Sequence, residues 1–289
     1  MMQKKSILAV LFVVLLTALT VNGAVADEEV FTSGDYQYRI LEDGTAEITR
    51  YSGEDEALKI PETLDGKIVT SIGEQAFRDS SSLMSVELPD SLTNIGNGAF
   101  LWCSSLTSVE LPDSVTSMGT NPFNGCELLK NIKVSPEQPA FAVIDDVLFN
   151  KAEKSLICYP EGKQAEDYKV PQGILQIGDF AFESCSSLTS IELPDSVTNI
   201  GESAFSGCGS LLSIKLPDSV MKVGDRAFSG CNSLTNIDLP YSVTSMGANP
   251  FGDCESLKNI RVSPEQPVFA VIDGVLSAAG SCRRTPSSA

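Results

Sequence analysis

The sequence predicts a repeat solenoid, in which short coils stack along one axis and each coil adds one strand to a parallel β-sheet. The first observation is a unit of 23 residues, seen in residues 188–210 as LTSIELPDSVTNIGESAFSGCGS and repeated on both sides. The second is that each unit opens with alternating polar and apolar residues, which is strand periodicity. The third is a longer repeat, since Val115–Leu148 and Val243–Leu276 are nearly identical and begin 128 residues apart. A unit this short cannot bury its apolar side chains alone, so neighbouring units must stack.

Each part of the 23-residue unit has a predicted role. With Leu188 as position 1, the alternation around Ile191 predicts a short half-buried strand. The segment Pro194–Ser196 predicts the turn that ends this strand, because proline cannot donate to a β-ladder. One helical turn over Glu202–Ser206 is expected to direct Phe205 into the interior. The apolar positions of the unit are Leu188, Ile191, Leu193, Val197, Ile200, Ala204, Phe205 and Cys208.

The residues before the repeats predict an exported protein with a capped first coil. Residues 1–26 combine a basic start, the apolar run Ile7–Leu19 and small residues at the end, which is typical of a secretory signal peptide. Residues 27–58 are predicted to be an acidic leader, mobile up to Tyr36, and an N-terminal capping hairpin. The hairpin pairs Tyr36–Ile40 with Ala46–Tyr51 across an Asp-Gly turn.

The solenoid itself is expected to span residues 59–276. Its third regular coil carries an insertion at about residues 135–168, whose pattern FAVIDDVLF followed by KSLICYP predicts a β-hairpin that projects from the coil. Residues 277–289 have no apolar period and are predicted to form a non-repeat, disordered tail. Our hypothesis for this tail is a truncation or frameshift inside the second copy of the longer repeat.

The spacing L-x-x-L-x-L in units of 20–29 residues is the signature of leucine-rich repeats. The chain resembles, more closely, the BspA-like (Treponema pallidum-type) leucine-rich repeat family. Units with the pattern ELPDSVT–IG–AF–C carry the resemblance, together with the lead-in Tyr38–Tyr51 and the inserted Val147–Pro160. These units lie at Glu87–Cys103, Glu110–Cys126, Glu192–Cys208 and Lys215–Cys231. The resemblance implies a leucine-rich repeat solenoid and a role in surface adhesion or in binding host matrix proteins.

The composition disfavours several classes of function. The chain contains no histidine, which removes Ser-His-Asp and Cys-His catalysis and the commonest zinc ligand. It also lacks a phosphate-binding glycine loop and a C-x-x-C pair. We therefore expect no enzymatic activity, no cofactor and no metal. A net charge of −18 repels phosphate backbones, so nucleic acid is a poor candidate partner.

Two columns of repeated side chains each admit two interpretations. The cysteines at position 21 would form rung-to-rung disulfides after export, or a ladder of buried thiols that act as small apolar groups. We favour the thiols, because Ser80 fills the same position in the first coil. The aspartates at position 8 would attract Ca²⁺ or simply form Pro-Asp-Ser turns, and we favour the turns. The two columns are Cys103, Cys126, Cys185, Cys208, Cys231 and Cys254, and Asp90, Asp113, Asp195 and Asp218.

The exposed face of the predicted strands is the candidate binding surface, because solenoids bind partners through such faces. We term these residues the polar strip. The polar strip consists of Glu87, Glu110, Lys133, Thr189, Ser190, Glu192, Lys215, Asp238 and Arg261.

The predicted function is a secreted or cell-surface, non-enzymatic scaffold that binds an extracellular protein or glycan. A host matrix protein or mucin is a possible partner, and membrane insertion after signal cleavage is not expected. A structural spacer without its own ligand is the alternative, and a glycan-active enzyme is the least favoured class.

Overall fold

A computed structural model describes residues 29–263, 268–272 and 275–278 of the chain. The predicted fold class is confirmed, because about nine turns of roughly 23 residues stack into a parallel β-solenoid. The predicted signal peptide, residues 1–26, lies outside the described residues, as does the tail from residue 279.

One row of short strands runs along the solenoid at positions 3–6 of the coils. These strands pair in parallel within three separate sheets, with neighbouring coils in register, so that Ile191 of one coil lies beside Ile214 of the next. The row consists of β4 (Ala57–Lys59), β7 (Ser85–Glu87), β9 (Ser108–Leu111), β11 (Asn131–Val134), β15 (Asp167–Lys169), β17 (Ser190–Glu192), β19 (Ser213–Lys215), β21 (Asn236–Leu239) and β23 (Asn259–Val262).

A second row of strands runs along the coils at positions 12–13. It falls into two sheets, which are interrupted between Met118 and Gln176, the site of the insertion. In the first coil, the extra residues form an antiparallel pair around Asp65-Gly66. This pair joins β5 (Thr63–Leu64) to β6 (Lys67–Ile72) and lies beside the row. The row consists of β6, β8 (Asn94–Ile95), β10 (Ser117–Met118), β16 (Gln176–Ile177), β18 (Asn199–Ile200), β20 (Lys222–Val223) and β22 (Ser245–Met246).

The remainder of each coil is a string of turns, and the helical turn predicted over Glu202–Ser206 does not form. Alternate N–H groups point out of the coil: those of Ser203, Phe205 and Gly207 donate to carbonyls of the next coil at 2.7–2.8 Å. A helix would keep these donors within its own segment. The backbone alternates accordingly, with φ of 49° at Ser203 and 71° at Gly207. Stacking between coils therefore overrides local helix formation.

The N-terminal cap is larger than the predicted hairpin. The hairpin of β2 (Tyr36–Ile40) and β3 (Ala46–Tyr51) is present, and β3 pairs in parallel with β6 of the first coil. The segment predicted to be a mobile leader instead contributes β1 (Val30–Ser33), which pairs antiparallel with β2. The ring of Phe31 stacks on Tyr38 at 5.4 Å, which gives this outer strand an apolar contact.

The insertion forms β12 (Phe141–Ile144), β13 (Val147–Asn150) and β14 (Ser155–Cys158), an antiparallel meander. It does not project into solvent as predicted. Val147, Leu148 and Phe149 are all buried, and β14 pairs in parallel with β16, so the meander begins the second sheet of its row. A strand with an unbroken apolar run is suited to burial on both faces.

The meander separates the interior into two apolar cores. Val147, Phe149 and Leu156 belong to the core of the C-terminal coils, whereas Leu148 and Cys158 belong to the core of the N-terminal coils. Because successive side chains of a strand point to opposite faces, one strand can serve both cores. We term β12, β13 and β14 the septum.

A column of aromatic rings fills each core at position 18. The N-terminal column begins with Tyr51 of the cap and continues through Phe77, Phe100 and Phe123 at centroid distances of 5.0–5.6 Å. The C-terminal column begins with Tyr159, directly after the septum. It continues through Phe182, Phe205, Phe228 and Phe251 at 5.1–5.7 Å.

Residues 135–139 of the longer repeat, SPEQP, include one buried side-chain amide, that of Gln138. Gln138 is fully buried, and its Nε2 donates to the carbonyl of Val115 at 2.6 Å. Its Oε1 accepts from the N–H groups of Ala140 and Phe141, at 2.6 and 2.8 Å. The glutamine therefore satisfies backbone groups where the chain leaves the coil and enters the septum.

The second copy of the longer repeat ends in β24 (Phe269–Ile272) and β25 (Val275–Ala278), which pair antiparallel as β12 and β13 do. Strand β25 extends two residues into the segment predicted to be a non-repeat tail, so that boundary was placed too early. The rest of that tail lies outside the described residues.

Candidate functional site

The polar strip lies on the outward face of the first strand row. Eight of its nine residues are exposed, and Thr189 is half-buried because its hydroxyl donates to the carbonyl of Glu166 at 3.0 Å. The structure adds Lys59 in β4 and Lys169 in β15, which occupy position 5 of their coils. Sequence reasoning missed both, since they lie in the irregular coils.

The charges of the strip compensate one another along the rungs. From β15 onwards, position 5 reads Lys169, Glu192, Lys215, Asp238 and Arg261, so that the sign alternates at every step. Lys169 Nζ lies 2.6 Å from Glu192, and Arg261 lies 3.8 Å from Asp238. Strands about 4.8 Å apart bring such pairs within reach.

The N-terminal part of the strip departs from this alternation. Lys59 pairs with Glu87, but Glu110 then follows Glu87 on the adjacent rung, with Lys133 beyond it. A shallow groove of about 660 Å³ runs here, lined by Glu87, Glu110 and Lys133 together with Asp113. A smaller groove of about 390 Å³ lies over Ser190, Glu192 and Lys215 in the C-terminal part.

The aspartate column at position 8 forms the rim of these grooves. Asp113 and Asp195 are both exposed, and Asp113 accepts a hydrogen bond from the Ser135 hydroxyl at 2.7 Å. Asp195 lies in the predicted turn, in which the Val197 N–H donates to the Pro194 carbonyl at 3.1 Å. Within the described part of the chain, no three His, Cys, Asp or Glu side chains are grouped so that they could hold a metal ion.

The cysteine ladder consists of free thiols in the structure. Each thiol contacts a backbone carbonyl of the preceding coil, as Cys208 Sγ does with Phe182 at 3.0 Å and Cys231 Sγ with Phe205 at 3.1 Å. Burial raises the pKa of the Cys208 thiol to about 12. A protonated, buried thiol is a poor nucleophile, so the ladder serves packing.

A cleft of larger volume than these grooves, which sequence reasoning did not identify, opens where the septum interrupts the coils. It has a volume of about 1070 Å³ and lies on turn segments at positions 15–23, with no residue in common with the strip. Trp102 is 47% exposed at its wall, and Arg78 lies over the indole at 4.3 Å from the ring centroid. The sequence did carry a signal for this site, since Trp102 is the single tryptophan and glycine holds its position in three other coils, Gly125, Gly207 and Gly230.

Side chains, rather than a backbone ladder, bridge the two sides of this cleft. Asn121 Nδ2 donates to the carbonyl of Phe180 at 2.8 Å, and Asn124 Nδ2 donates to Glu183 at 2.6 Å. The N–H of Gly125 donates to Glu161 at 2.7 Å. Direct stacking of coils is replaced here by longer connections, and this replacement opens the space.

Two half-buried carboxyl groups give the cleft its electrostatic character. Burial, with repulsion from Glu183 and Glu127, raises the pKa of Glu161 to about 7, although the Gly125 N–H opposes the shift. Burial also raises the pKa of Glu183, against the hydrogen bond from Asn124. Of the described residues that line the cleft, six are acidic and none is lysine or arginine: Glu74, Glu127, Glu161, Asp179, Glu183 and Glu202.

In the described part of the chain, no helix has the length and apolar character of a membrane span.

Three solved structures are similar to this chain, and the two with TM-scores above 0.5 confirm the architecture. A leucine rich cell surface protein from Faecalibacterium prausnitzii is similar, with 24% identity, coverage of 84% of this chain and 97% of that chain, and a TM-score of 0.57. The pneumococcal vaccine antigen PcpA is 20% identical, with coverage of 86% and 92% and a TM-score of 0.53. The Treponema pallidum leucine rich repeat protein is 30% identical, with coverage of 80% and 91% and a TM-score of 0.44. A search of curated proteins gave no match.

The repeats themselves match a family model. This model, described as the BspA type leucine rich repeat region, matches residues 56–162 and 157–269 in six copies. The match covers most of the chain and includes the units on which the sequence resemblance rests. The chain therefore belongs to the BspA-type leucine-rich repeat family.

Proposed function

We propose that this protein is a secreted or cell-surface, non-enzymatic scaffold that binds an extracellular protein or glycan through the polar strip. The observation that carries the proposal is the register of the strip. Each strand of the first row presents an exposed charged side chain at position 5, in line with its neighbours within each sheet. A regular, unobstructed sheet face of this kind is how solenoids engage extended partners.

The charge of the strip favours a partner of mixed or neutral charge. Position 5 carries lysine or arginine on five described rungs and aspartate or glutamate on four, although the chain as a whole has a net charge of −18. A host matrix protein or mucin presents many polar groups and is a suitable candidate. Nucleic acid remains disfavoured, because the acidic chain repels phosphate.

The location outside the cell rests on two independent supports. The predicted signal peptide at residues 1–26 directs export. The similar protein of F. prausnitzii is described as a cell surface protein.

A structural spacer is the second candidate, and the paired charges favour it. Side chains that already neutralise each other, such as Lys169 and Glu192, have less need of a partner. Exposed pairs of this kind contribute about 0–1 kcal/mol to stability, so the spacer hypothesis does not need them to be strong.

Adhesion of a strip variant separates the two candidates. The variant Glu192→Gln/Lys215→Gln/Asp238→Asn removes three charges of the strip, and Glu54→Gln/Lys222→Gln/Glu255→Gln makes the same net change at exposed sites elsewhere. Binding to immobilised matrix proteins and mucin would be measured by surface plasmon resonance. We expect at least tenfold weaker binding for the strip variant only. Equal binding by all three proteins would reject the strip, and no binding by the unaltered protein would favour the spacer.

A further inference from the structure

The cleft at the septum carries an inference that is independent of the polar strip. In regular coils, N–H groups of the turn segments bond directly to carbonyls of the next coil, as Phe205 does to Ala227 at 2.7 Å. At the septum, Asn121, Asn124 and Glu161 bridge the gap instead. The resulting space is of the size that proteins use for ligands, about 300–1,000 Å³.

The side chains around this space do not follow from the repeat. Position 20 holds Trp102 here and a small or polar residue in the other regular coils, such as Gly125, Gly207 and Gly230, and Trp102 adopts a φ of 60° that glycine would accommodate more easily. The repeat therefore does not require a tryptophan at this position. The wall of the cleft also includes Leu128, whose exposed fraction is 51%. Half-exposed apolar groups beside a cavity are typical of binding sites.

The charge of the cleft selects the chemistry of a partner. Glu161 and Glu183 are half-buried, and the described lining offers no cation to neutralise them. A carboxylate that is withdrawn from water is stabilised strongly by an opposite charge. Anionic ligands are correspondingly disfavoured.

We propose that this cleft binds a basic segment of a protein partner, with a lysine or arginine side chain neutralising Glu161 and Glu183 while its aliphatic part packs against Leu128 and the part of Trp102 that Arg78 leaves exposed.

A neutral glycan fits the cleft less well. Sugars in protein sites usually lie on an open aromatic face, but Arg78 already covers the indole of Trp102. A side chain at position 125 would collide with the pyrrole atoms of this indole, so Gly125 lies close against it as well. The position of Arg78 also demonstrates that the ring accepts a cation, an interaction worth about 0.5–2 kcal/mol in proteins.

Fluorescence gives a direct test, because Trp102 is the only tryptophan in the chain. The full chain would be titrated with a tetralysine peptide, which has no aromatic residue, at constant ionic strength. We expect a saturable change in the emission of Trp102. A tetraglutamate peptide should produce none.

Paired charge variants distinguish the cleft from general attraction to an acidic protein. Glu161→Gln/Glu183→Gln removes both ionisable carboxyl groups from the cleft while keeping amide oxygens that can accept the bonds from Gly125 and Asn124, and binding would be compared at pH 8, where Glu161 is mostly charged. Glu87→Gln/Glu110→Gln removes two charges from the strip. Binding of labelled tetralysine, measured by anisotropy, should weaken at least tenfold in the cleft variant and less than twofold in the strip variant.

The Trp102→Gly variant tests the apolar contribution. Glycine suits the φ of 60° at this residue, so the variant is expected to fold normally, as circular dichroism would verify. Tetralysine binding should weaken three- to tenfold.

Three results would overturn the proposal. Equal weakening in the cleft and strip charge variants would indicate non-specific attraction. Unchanged binding in Trp102→Gly would remove the cleft from the interaction. A saturable response to chitotetraose, without one to tetralysine, would assign the cleft to a neutral glycan. Loss of matrix binding in the strip variant bears only on the proposed function, so the two proposals fail separately.

Discussion

The N-terminal cap and the septum are the same structural device in two settings. Each is a three-stranded antiparallel meander whose last strand pairs in parallel with a strand of the coils. A tyrosine heads a column of phenylalanines in both, Tyr51 at the end of the last strand of the cap and Tyr159 directly after the septum. They differ in their middle strands. In strand β2 only Tyr38 is buried, whereas Val147, Leu148 and Phe149 of β13 are all buried. A meander that faces solvent ends a solenoid, and one that is apolar on both faces joins two of them.

The largest expected loss of stability comes from replacing a large apolar side chain on either face of the septum with alanine. Leu148 is fully buried against the N-terminal core and Phe149 is 3% exposed in the C-terminal core. We expect Leu148→Ala to lower the free energy of unfolding by about 2–5 kcal/mol and Phe149→Ala by about 3–5 kcal/mol. Urea denaturation would measure both.

The matched position in the cap provides the control. Gln37 is exposed on β2, and Gln37→Ala should change the free energy of unfolding by less than about 0.5 kcal/mol. A loss at Gln37 equal to that at Leu148 would contradict the distinction between cap and septum.

Alanine variants of the cysteine ladder test whether the N-terminal and C-terminal coils pack alike. Removing the thiol of Cys103 or Cys208 leaves a small cavity and takes a donor from a phenylalanine carbonyl. Each alanine variant should lose about 1–3 kcal/mol, by similar amounts in the two halves.

The redox state of the ladder would be checked by alkylation and intact mass measurement. The five fully buried cysteines of the ladder, all except the half-buried Cys254, should react only after denaturation, without added reductant. Six cysteines that remain unreactive in denaturant would instead indicate three disulfides.

The pH dependence of stability reports the half-buried carboxyl group beside the septum. The pKa of Glu161 is raised from 4.5 to about 7, so the folded state binds this proton more tightly than the unfolded state does. The contribution of Glu161 to stability therefore falls as pH rises from 4.5 to 7 and is constant above that range.

Glu161→Gln cannot titrate and should escape this loss. We expect the variant to be more stable than the unaltered protein above pH 7 by on the order of 1 kcal/mol, a value discounted for partial exposure. The two proteins should converge towards pH 4.5 in thermal unfolding. A constant difference across this range would contradict the assigned pKa.

The smallest effect on stability is expected at the polar strip. Lys169→Gln breaks the exposed pair with Glu192, and the change in the free energy of unfolding should be below about 0.5 kcal/mol. Chemical denaturation would measure it. A loss above 2 kcal/mol would mean that the strip is structural and would weaken its assignment as a binding face.

The regular coils could be predicted from the sequence because period and burial coincide there. Ile191, Phe205 and Cys208 repeat in register, and each is buried as the pattern requires. The helical turn was wrong because local propensity does not reveal that alternate N–H groups bond to the next coil. The prediction of a mobile leader was wrong because local sequence does not reveal that Val30–Ser33 pairs with β2.

The burial of the septum and the presence of the cleft could not be predicted from the sequence, because both depend on contacts between distant parts of the chain. An apolar run such as Val147–Phe149 predicts burial, but it does not state which surfaces cover its two faces. The cleft depends on bridges between residues 59 positions apart, such as Asn124 and Glu183. The exposed strip was accessible because strand alternation alone determines which side chains face outward.

Hydrogen exchange of the two septum variants tests most directly whether the septum divides the solenoid into two cores. Exchange would be followed by mass spectrometry on Leu148→Ala and Phe149→Ala under native conditions. We predict that Leu148→Ala lowers protection mainly in the N-terminal strands β7, β9 and β11, and that Phe149→Ala lowers it mainly in β16, β18 and β20. The same loss of protection along the whole solenoid in both variants would contradict the division.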